Sequence, residues 1–493
     1  MVWVLPRIQQ KHSLIWELLS KILIYEEEGA GRAVFATLPL FQLLQLSHSS
    51  YTLLNNGQLD PKLENMSRNY VLIGILLILL GSCDLSENPA KITDKNDYDK
   101  YLVANHGKAT SKYFEIWNSK IRPDSSQLMS FGIVGGEYER FFKNTGDIQY
   151  LKKAEAVLRK AADIAAIGKA GIYRALARNY ISQHRFKEAL QIADSARACK
   201  SGVEASQSLL FDVHMELGNY NMAKKYLDSL KHMSNFGYLI RLSKWNDHLG
   251  DLGTAIHFME KATKKAKSSN NEALQLWAYT NLADFYGHAG RIEDSYSYYL
   301  KALEIDSDNA YAKKGIAWIV FSHEKKPEEA MRILDSVTKT YSAPDYFLLK
   351  AEIAGYLNDD LKRLINLDQY FKLVSNPAYG NMYNRYNISI YVDETGQLNK
   401  AFDLAQKEVE LRPTPESYGL LAYTYLNKGE KSKARQIIEA NVEGKTFEPK
   451  VLMYVAKIYK ATGAIDKAKK LKNELSQAIY ELGPHAEKSI ANL

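Results

Sequence analysis

Few residues in this chain are arranged for chemistry. Gly107, Lys108, Ala109 and Thr110 end like a phosphate-cradling loop. Such a loop needs an upstream glycine to curl its amides around the anion, and the sequence lacks it. His248 and His257 are nine residues apart. On one continuous helix that spacing puts them on opposite faces, but Gly250 and Gly253 between them point to a turn. They read as packing or solvent-facing side chains rather than metal ligands. The nucleophile elbow, the zinc-binding helix, the dinucleotide fingerprint and the calcium loop are all missing. Two cysteines, Cys83 and Cys199, make neither a disulfide framework nor a zinc site. The expectation is no catalytic residue, no metal, no cofactor and no enzyme activity.

What remains is surface, so the question becomes which elements display it. With 493 residues the chain exceeds what one compact core holds, which leaves several domains or an extended array. At 46% hydrophobic and 25% charged, the composition argues against global disorder. Tyrosine outnumbers phenylalanine 33 to 16, which suits half-buried helix faces where the ring packs and the hydroxyl stays wet. The net charge of +7 is a small excess of 64 basic over 57 acidic residues. No basic stripe interleaved with aromatics stands out, so nucleic acid is not an expected partner.

The first 83 residues read as an address. Arg68 precedes a ten-residue apolar run at 71–80, followed by Gly81, Ser82 and Cys83. A run this short falls well below the roughly 20 apolar residues that span a bilayer, and it fits a signal-peptide core. Leu80, Gly81, Ser82 and Cys83 resemble a bacterial lipobox. That resemblance implies a diacylglyceryl group on the Cys83 thiol and cleavage just before it. A signal peptide belongs at a chain start, and Met66 is a natural one. Residues 1–65 are therefore expected to be an over-extended start or a non-native N-terminal segment. Residues 66–82 are then the lipoprotein signal peptide, and 83–96 form a polar tether containing Pro89. Asp84 resembles an inner-membrane retention signal of some bacteria only, so the choice of membrane stays open.

Beyond the tether the chain repeats itself. A small residue recurs at Ala154, Ala189, Ala223, Ala255, Ser295, Ala330, Ala401, Ala434 and Ala468. Successive spacings are 35, 34, 32, 40, 35, 71, 33 and 34, so a degenerate unit is expected near 361–371. Five residues before the small residue stand Gly218, Gly250, Gly290, Gly396, Gly429 and Gly463. Twelve and nine before it stand Ala177 and Tyr180, Ala283 and Tyr286, Ala422 and Tyr425, and Ala456 and Tyr459. These residues resemble the tetratricopeptide repeat of a Gram-negative lipoprotein. The resemblance implies an all-α fold, a right-handed superhelical solenoid of about ten helical hairpins with first helices on the concave side. Three units depart from it, with Ser243, Phe211 and Trp318 at the first-helix alanine position. The physics agrees with the pattern. Glycine ends the first helix, alanine lets the two helices approach, and one hairpin cannot bury its own apolar face without neighbours.

The array is expected over 128–482. A helical leader or cap fills 97–127, and a tail of 483–493 follows the helix stop at Gly483 and Pro484. In the repeat family, ligands bind the concave face. Mapped onto this sequence, that face includes Arg174, Arg178, Trp277, Asp284, Tyr383 and Tyr386. The leading expectation is a membrane-anchored protein-interaction scaffold of the bacterial cell envelope. It would sit in the cell membrane or outer membrane by its lipid, face the periplasm or cell surface, and bind envelope proteins. The alternative is a glycan-binding outer-membrane lipoprotein of the starch-utilisation type, which such helical hairpins also build.

Overall fold

The computed structural model describes residues 91–103, 111–122 and 128–493. Cys83, residues 1–65, the signal segment 66–82, most of the tether and the loop 107–110 lie outside them. The described residues form α-helices with short 3-10 and π turns and no strand. Ten antiparallel hairpins follow one another. Hairpin 1 pairs Leu128–Thr145 with Ile148–Ile164, and hairpin 2 pairs Lys169–Ser182 with Phe186–Ala198. Hairpin 3 pairs Val203–Glu216 with Tyr220–Ser229, and hairpin 4 pairs Phe236–His248 with Leu252–Ser268. Hairpin 5 pairs Glu272–His288 with Ile292–Ile305. In hairpin 6, Ala310–Trp318 runs into a π turn, Ile319–His323, before Pro327–Val337. Hairpin 7 pairs Pro344–Tyr356 with Asp360–Val374, and hairpin 8 pairs Asn384–Asp393 with Leu398–Leu411. Hairpin 9 pairs Pro415–Asn427 with Lys431–Asn441, and hairpin 10 pairs Pro449–Ala461 with Ile465–Leu475.

Local chemistry sets the helix starts. Asp147, Asn235, Asp251, Asn271, Asn309, Asp359 and Thr414 each cap a helix with a side-chain oxygen on a first-turn amide. Pro327, Pro344, Pro415 and Pro449 occupy first turns, where a missing N–H costs nothing. Between the helices of every hairpin, one residue takes a positive φ just before the second helix begins. It is glycine in seven hairpins and His184, Lys325 and Asn358 in the others.

The repeating small residues all lie at zero exposure, Ala154 to Ala468, Ser295 included. In all ten hairpins the crossing position is the fourth residue after the N-cap, which is Leu151, Ala189, Ala223, Ala255 and so on along the chain. Hairpin 1 differs in the type of residue there. Its turn residue is Gly146 and its crossing residue is Leu151, so Ala154 is buried one turn further along. The degenerate unit is hairpin 7, where Arg363 takes the crossing position and its stem packs on Gly355. Ser243 fits the alanine site by donating its hydroxyl to the Ala255 carbonyl across the crossing at 2.7 Å. Phe211 is fully buried there. Trp318 is a matter of register. The π turn, closed by the Glu324 amide on the Ile319 carbonyl, inserts one residue. The alanine that packs is Ala317, buried to zero exposure, and Trp318 is rotated off the crossing.

The array then closes on itself. Turns inside early hairpins meet linkers between late ones, 193 to 197 residues further on. Thr145 accepts from the Ser342 amide at 2.9 Å, and Gly146 packs on Ala343. Ile148 and Leu151 share a core with Tyr379. Gly218 lies against the Pro413 carbonyl, Gly250 against the Phe447 ring and Gly287 against Tyr480. Arg412 spans the same seam. It bonds the Glu216 carboxylate at 2.7 Å and the Glu216 carbonyl at 3.1 Å, and its guanidinium sits over the Phe186 ring. One superhelical turn therefore takes between five and six hairpins, and the ten make about two turns in contact.

The leader divides. Lys112–Asn118 caps hairpin 1, with Phe114 edge-on to Phe141 and Ser111 bonded to Glu137. Residues 91–102 dock instead on the second helices of hairpins 5 and 6. The described end of the tether stretch is thus held, with the Ile92 and Thr93 amides on Glu324 at 2.8 and 2.6 Å. Tyr98 follows, bonded to Glu329. At the other end Ala486–Ala491 covers hairpin 10, where Ile490 packs on Met453 and Leu475. Among the described residues no helix is long and apolar enough to cross a membrane.

Candidate functional site

In hairpins 2 to 10 one register position of the first helix stands eleven residues before the crossing position. Read along the chain it is Arg178, Asp212, Lys244, Asp284, then Trp318 (shifted by the π turn), then Glu352, Ile390, Tyr423 and Lys457. Charge alternates over its first four members. A second row, one turn or two earlier on each helix, holds Trp277, Tyr311, Lys314, Asp345, Tyr383, Tyr386 and Lys450.

Neighbouring hairpins pair across these rows. Arg241 bonds Asp212 at 2.5 Å and Lys244 bonds Glu216 at 2.9 Å. Tyr299 and Tyr311 donate to Asp284 at 2.5 and 2.7 Å. Lys314 pairs with Asp345 at 2.5 Å, and Tyr383 donates to the other Asp345 oxygen at 3.2 Å. Groups from distant hairpins also feel one another. Lys450 of hairpin 10 acts on Glu352 of hairpin 7, and Arg385 of hairpin 8 acts on His184 of hairpin 2. Lys450 and Glu352 share one interior, while His184, a turn residue, is coupled to Arg412 and Glu216 of the seam.

That interior shifts proton equilibria. Burial pushes the Glu352 carboxyl up to about 7, against Lys450 and Lys314. Burial also raises Asp284, against the hydroxyls of Tyr299 and Tyr311. For Glu216 burial opposes ionisation, but Lys244 and Arg412 outweigh it and hold the carboxyl at about 2. Burial lowers Arg178, with Glu139 opposing.

The six residues singled out on sequence are distributed as follows. Arg178 and Asp284 belong to the first row, and Trp277, Tyr383 and Tyr386 to the second. Tyr383 and Tyr386 lie ring to ring at 5.8 Å. Trp277 stands edge-on to Phe236 with 41% of its surface exposed. Arg174 is tied up in packing, donating to the Ser201 carbonyl and the Ser206 hydroxyl of the next hairpin. Asp212, Lys244, Glu352, Lys450 and Lys457 were missed. Counting back eleven from each small residue would have found Asp212, Lys244 and Lys457, but Glu352 needed the crossing position in hairpin 7. His248 stacks on Tyr220 at 4.0 Å, while His257 lies on the next helix beside Phe258. Among the described residues no three His, Cys, Asp or Glu side chains cluster to hold a metal.

Comparison with known proteins agrees with the hairpins. Two segments, 278–309 and 415–441, match the tetratricopeptide repeat family model. The second is hairpin 9 from end to end. A search of curated proteins gave no significant match. Among solved structures, a tetratricopeptide repeat protein from Parabacteroides merdae is 15% identical, with a TM-score of 0.34. That match covers 48% of this chain and 93% of the other. The human IFIT1 dimer with PPP-AAAA is 12% identical, with a TM-score of 0.39, covering 78% of this chain and 95% of that one. The chain is an all-α solenoid that carries tetratricopeptide repeats, an architecture whose general use is to bind proteins.

Proposed function

We propose that this chain is a lipid-anchored protein-binding scaffold of a bacterial cell envelope. Cys83 carries the lipid, and the partner is an envelope protein that contacts the two inner rows. One observation carries the binding reading. Packing of hairpins needs only apolar and small residues, yet the inner positions hold charged and aromatic side chains drawn from almost every hairpin. The Tyr386 and Trp277 side chains stay 46% and 41% exposed there. The anchor rests on the lipobox-like residues alone.

The test is photo-crosslinking in intact cells. A benzophenone amino acid at 277 or 386 is expected to trap a discrete protein, and the same group at the outward Lys470 is not. Equal labelling from all three positions would overturn the inner-face reading. Cys83→Ser is expected to abolish fatty-acid labelling and release the chain from membranes, whereas continued labelling would remove the anchor. A glycan is the second reading, favoured by the exposed inner rings of Tyr311 and Tyr386. Carbohydrate-array binding that disappears in Tyr386→Ala would establish it over a protein partner.

A further inference from the structure

Three departures from the repeat pattern face the same short stretch of chain. Gly287, next to last in the first helix of hairpin 5, leaves room for the Tyr480 ring, since a Cβ there would meet it at 2.7 Å. Trp318 is turned off its helix crossing by the π turn and donates its indole N–H to the Tyr480 carbonyl at 3.0 Å. Ser322, inside that π turn, donates to the same carbonyl at 2.7 Å. The contacts continue along the stretch. Glu481 pairs with His288 at 2.9 Å. Gly483, at a φ of 79°, packs on Trp318 and Glu352. His485 bonds the Glu352 carbonyl at 3.1 Å and stands edge-on to Tyr356, and Glu487 pairs with Lys325 at 2.7 Å.

This pattern differs from the stacking of hairpins. Hairpins stack chiefly through apolar clusters, with polar pairs beside them, whereas the tail adds to its apolar Ile479 and Leu482 a run of main-chain and charge contacts. Here Trp318, Ser322 and His288 engage the main chain and charge of a segment far along the sequence, and its own His485 bonds the Glu352 carbonyl in return, as a groove and its peptide do. The segment has one four-residue helix, Ile479–Leu482, too short to hold its own shape, and runs at its end into Ala486–Ala491 on hairpin 10.

We infer that hairpins 5 to 7 form a peptide-binding seat, and that residues 479–487 are its resident and releasable ligand. The chemistry it accepts is an aromatic side chain, an acidic one directly after it and a glycine three residues beyond the aromatic, as in Tyr480, Glu481 and Gly483. A partner segment of that kind competes with the tail. Release frees Trp318, Ser322 and His288 and opens the last contact of the seam. The seat uses Trp318 and Glu352 of the first inner row and so rests on the partner reading, but a protein trapped from 277 or 386 by a chain whose tail ignores the peptide would sink the seat alone.

The charges around the seat make the latch sensitive to pH. His288 faces Glu481 on the tail, Asp284 on its own helix, Asp247 from hairpin 4 and Glu448 from hairpin 10. Burial disfavours its charge, but Glu481 and the two aspartates raise its pKa above the ordinary value. The stability His288 gives the latch is therefore present at acidic pH and lost as pH rises through that raised value. Glu352, under Gly483, is neutral in the favoured state and becomes a buried carboxylate above about 7. The latch weakens toward alkaline pH on both counts.

Hydrogen exchange on the full chain tests this. Amides of 479–487 are expected to open locally, about tenfold or more faster than the helices of hairpin 10. Opening, corrected for intrinsic rates, rises several-fold from about pH 6 to about pH 8.5, and Glu481→Gln flattens that rise. Excess synthetic peptide spanning 478–489 accelerates exchange of the chain's own tail, and the same peptide carrying Tyr480→Ala does not. Tail amides that exchange only together with hairpin 10, and ignore the peptide, would make the segment a fixed part of the array and overturn the inference. A pH-independent opening would overturn the electrostatic latch.

Discussion

Glu216 shows how individual residues hold the inner face. Its carboxylate takes Lys244 from the next hairpin and Arg412 from the next superhelical turn. Removing one partner leaves a deep charge half compensated. Arg412→Met is expected to destabilise the chain by about 2–4 kcal/mol at neutral pH, measured by urea unfolding. Because the folded pKa of Glu216 is depressed, its contribution is present above the ordinary carboxylate value and is lost as pH falls through about 2. The gap between variant and parent should therefore narrow at about pH 3, and a gap that stays constant there would assign the loss to packing on Phe186 instead. At this scale the sequence was partly readable. Arg178 and Asp284 could be placed because their hairpins follow the repeat closely. Arg174 misled because a side chain's free end cannot be read from its register, and here it bonds the next hairpin.

At the scale of the hairpin, the small residue is the fulcrum. Ala434 lies at zero exposure in a core with Ala422, Ile438 and Val455. Ala434→Leu is expected to cost about 1–3 kcal/mol by forcing the two helices apart. Hydrogen exchange should quicken across 415–480 and leave hairpin 1 unchanged, since coupling passes chiefly between neighbours. Uniform loosening would mean one cooperative globule. Most hairpins were readable because glycine at the turn and alanine at the crossing recur there, although His184, Lys325 and Asn358 take the turn elsewhere and Leu151, Ser295 and Arg363 the crossing. Two registers were not. In hairpin 1 a leucine fills the crossing and an alanine stands one turn later, imitating the pattern. In hairpin 6 the π turn inserts a residue, and no side-chain type announces it.

At the scale of the molecule, the seam turns ten stacked hairpins into a closed two-turn superhelix. Its contacts join residues almost 200 positions apart and depend on twist summed over five hairpins, so no local pattern reveals them. Gly218 and Gly290 separate the seam from the turn. Both have a φ of 71°, but a Cβ on Gly218 would lie 2.9 Å from the Pro413 carbonyl, while one on Gly290 meets nothing within 4 Å. Gly290→Ala should lose about 1–2 kcal/mol for the left-handed backbone alone. Gly218→Ala should lose about 1 kcal/mol or more beyond that, because the seam must shift. Equal losses would mean the turns do not press on each other in solution. The most direct measurement of the closed superhelix is an intramolecular disulfide between Thr145→Cys and Ser342→Cys, in a chain whose Cys199 is replaced by serine. The backbone bond between these positions brings them within reach of such a bridge. Rapid and nearly complete oxidation within the monomer is the expected result. Failure to oxidise, while a Ser243→Cys and Ala255→Cys pair at a helix crossing closes readily, would contradict it and leave an open solenoid.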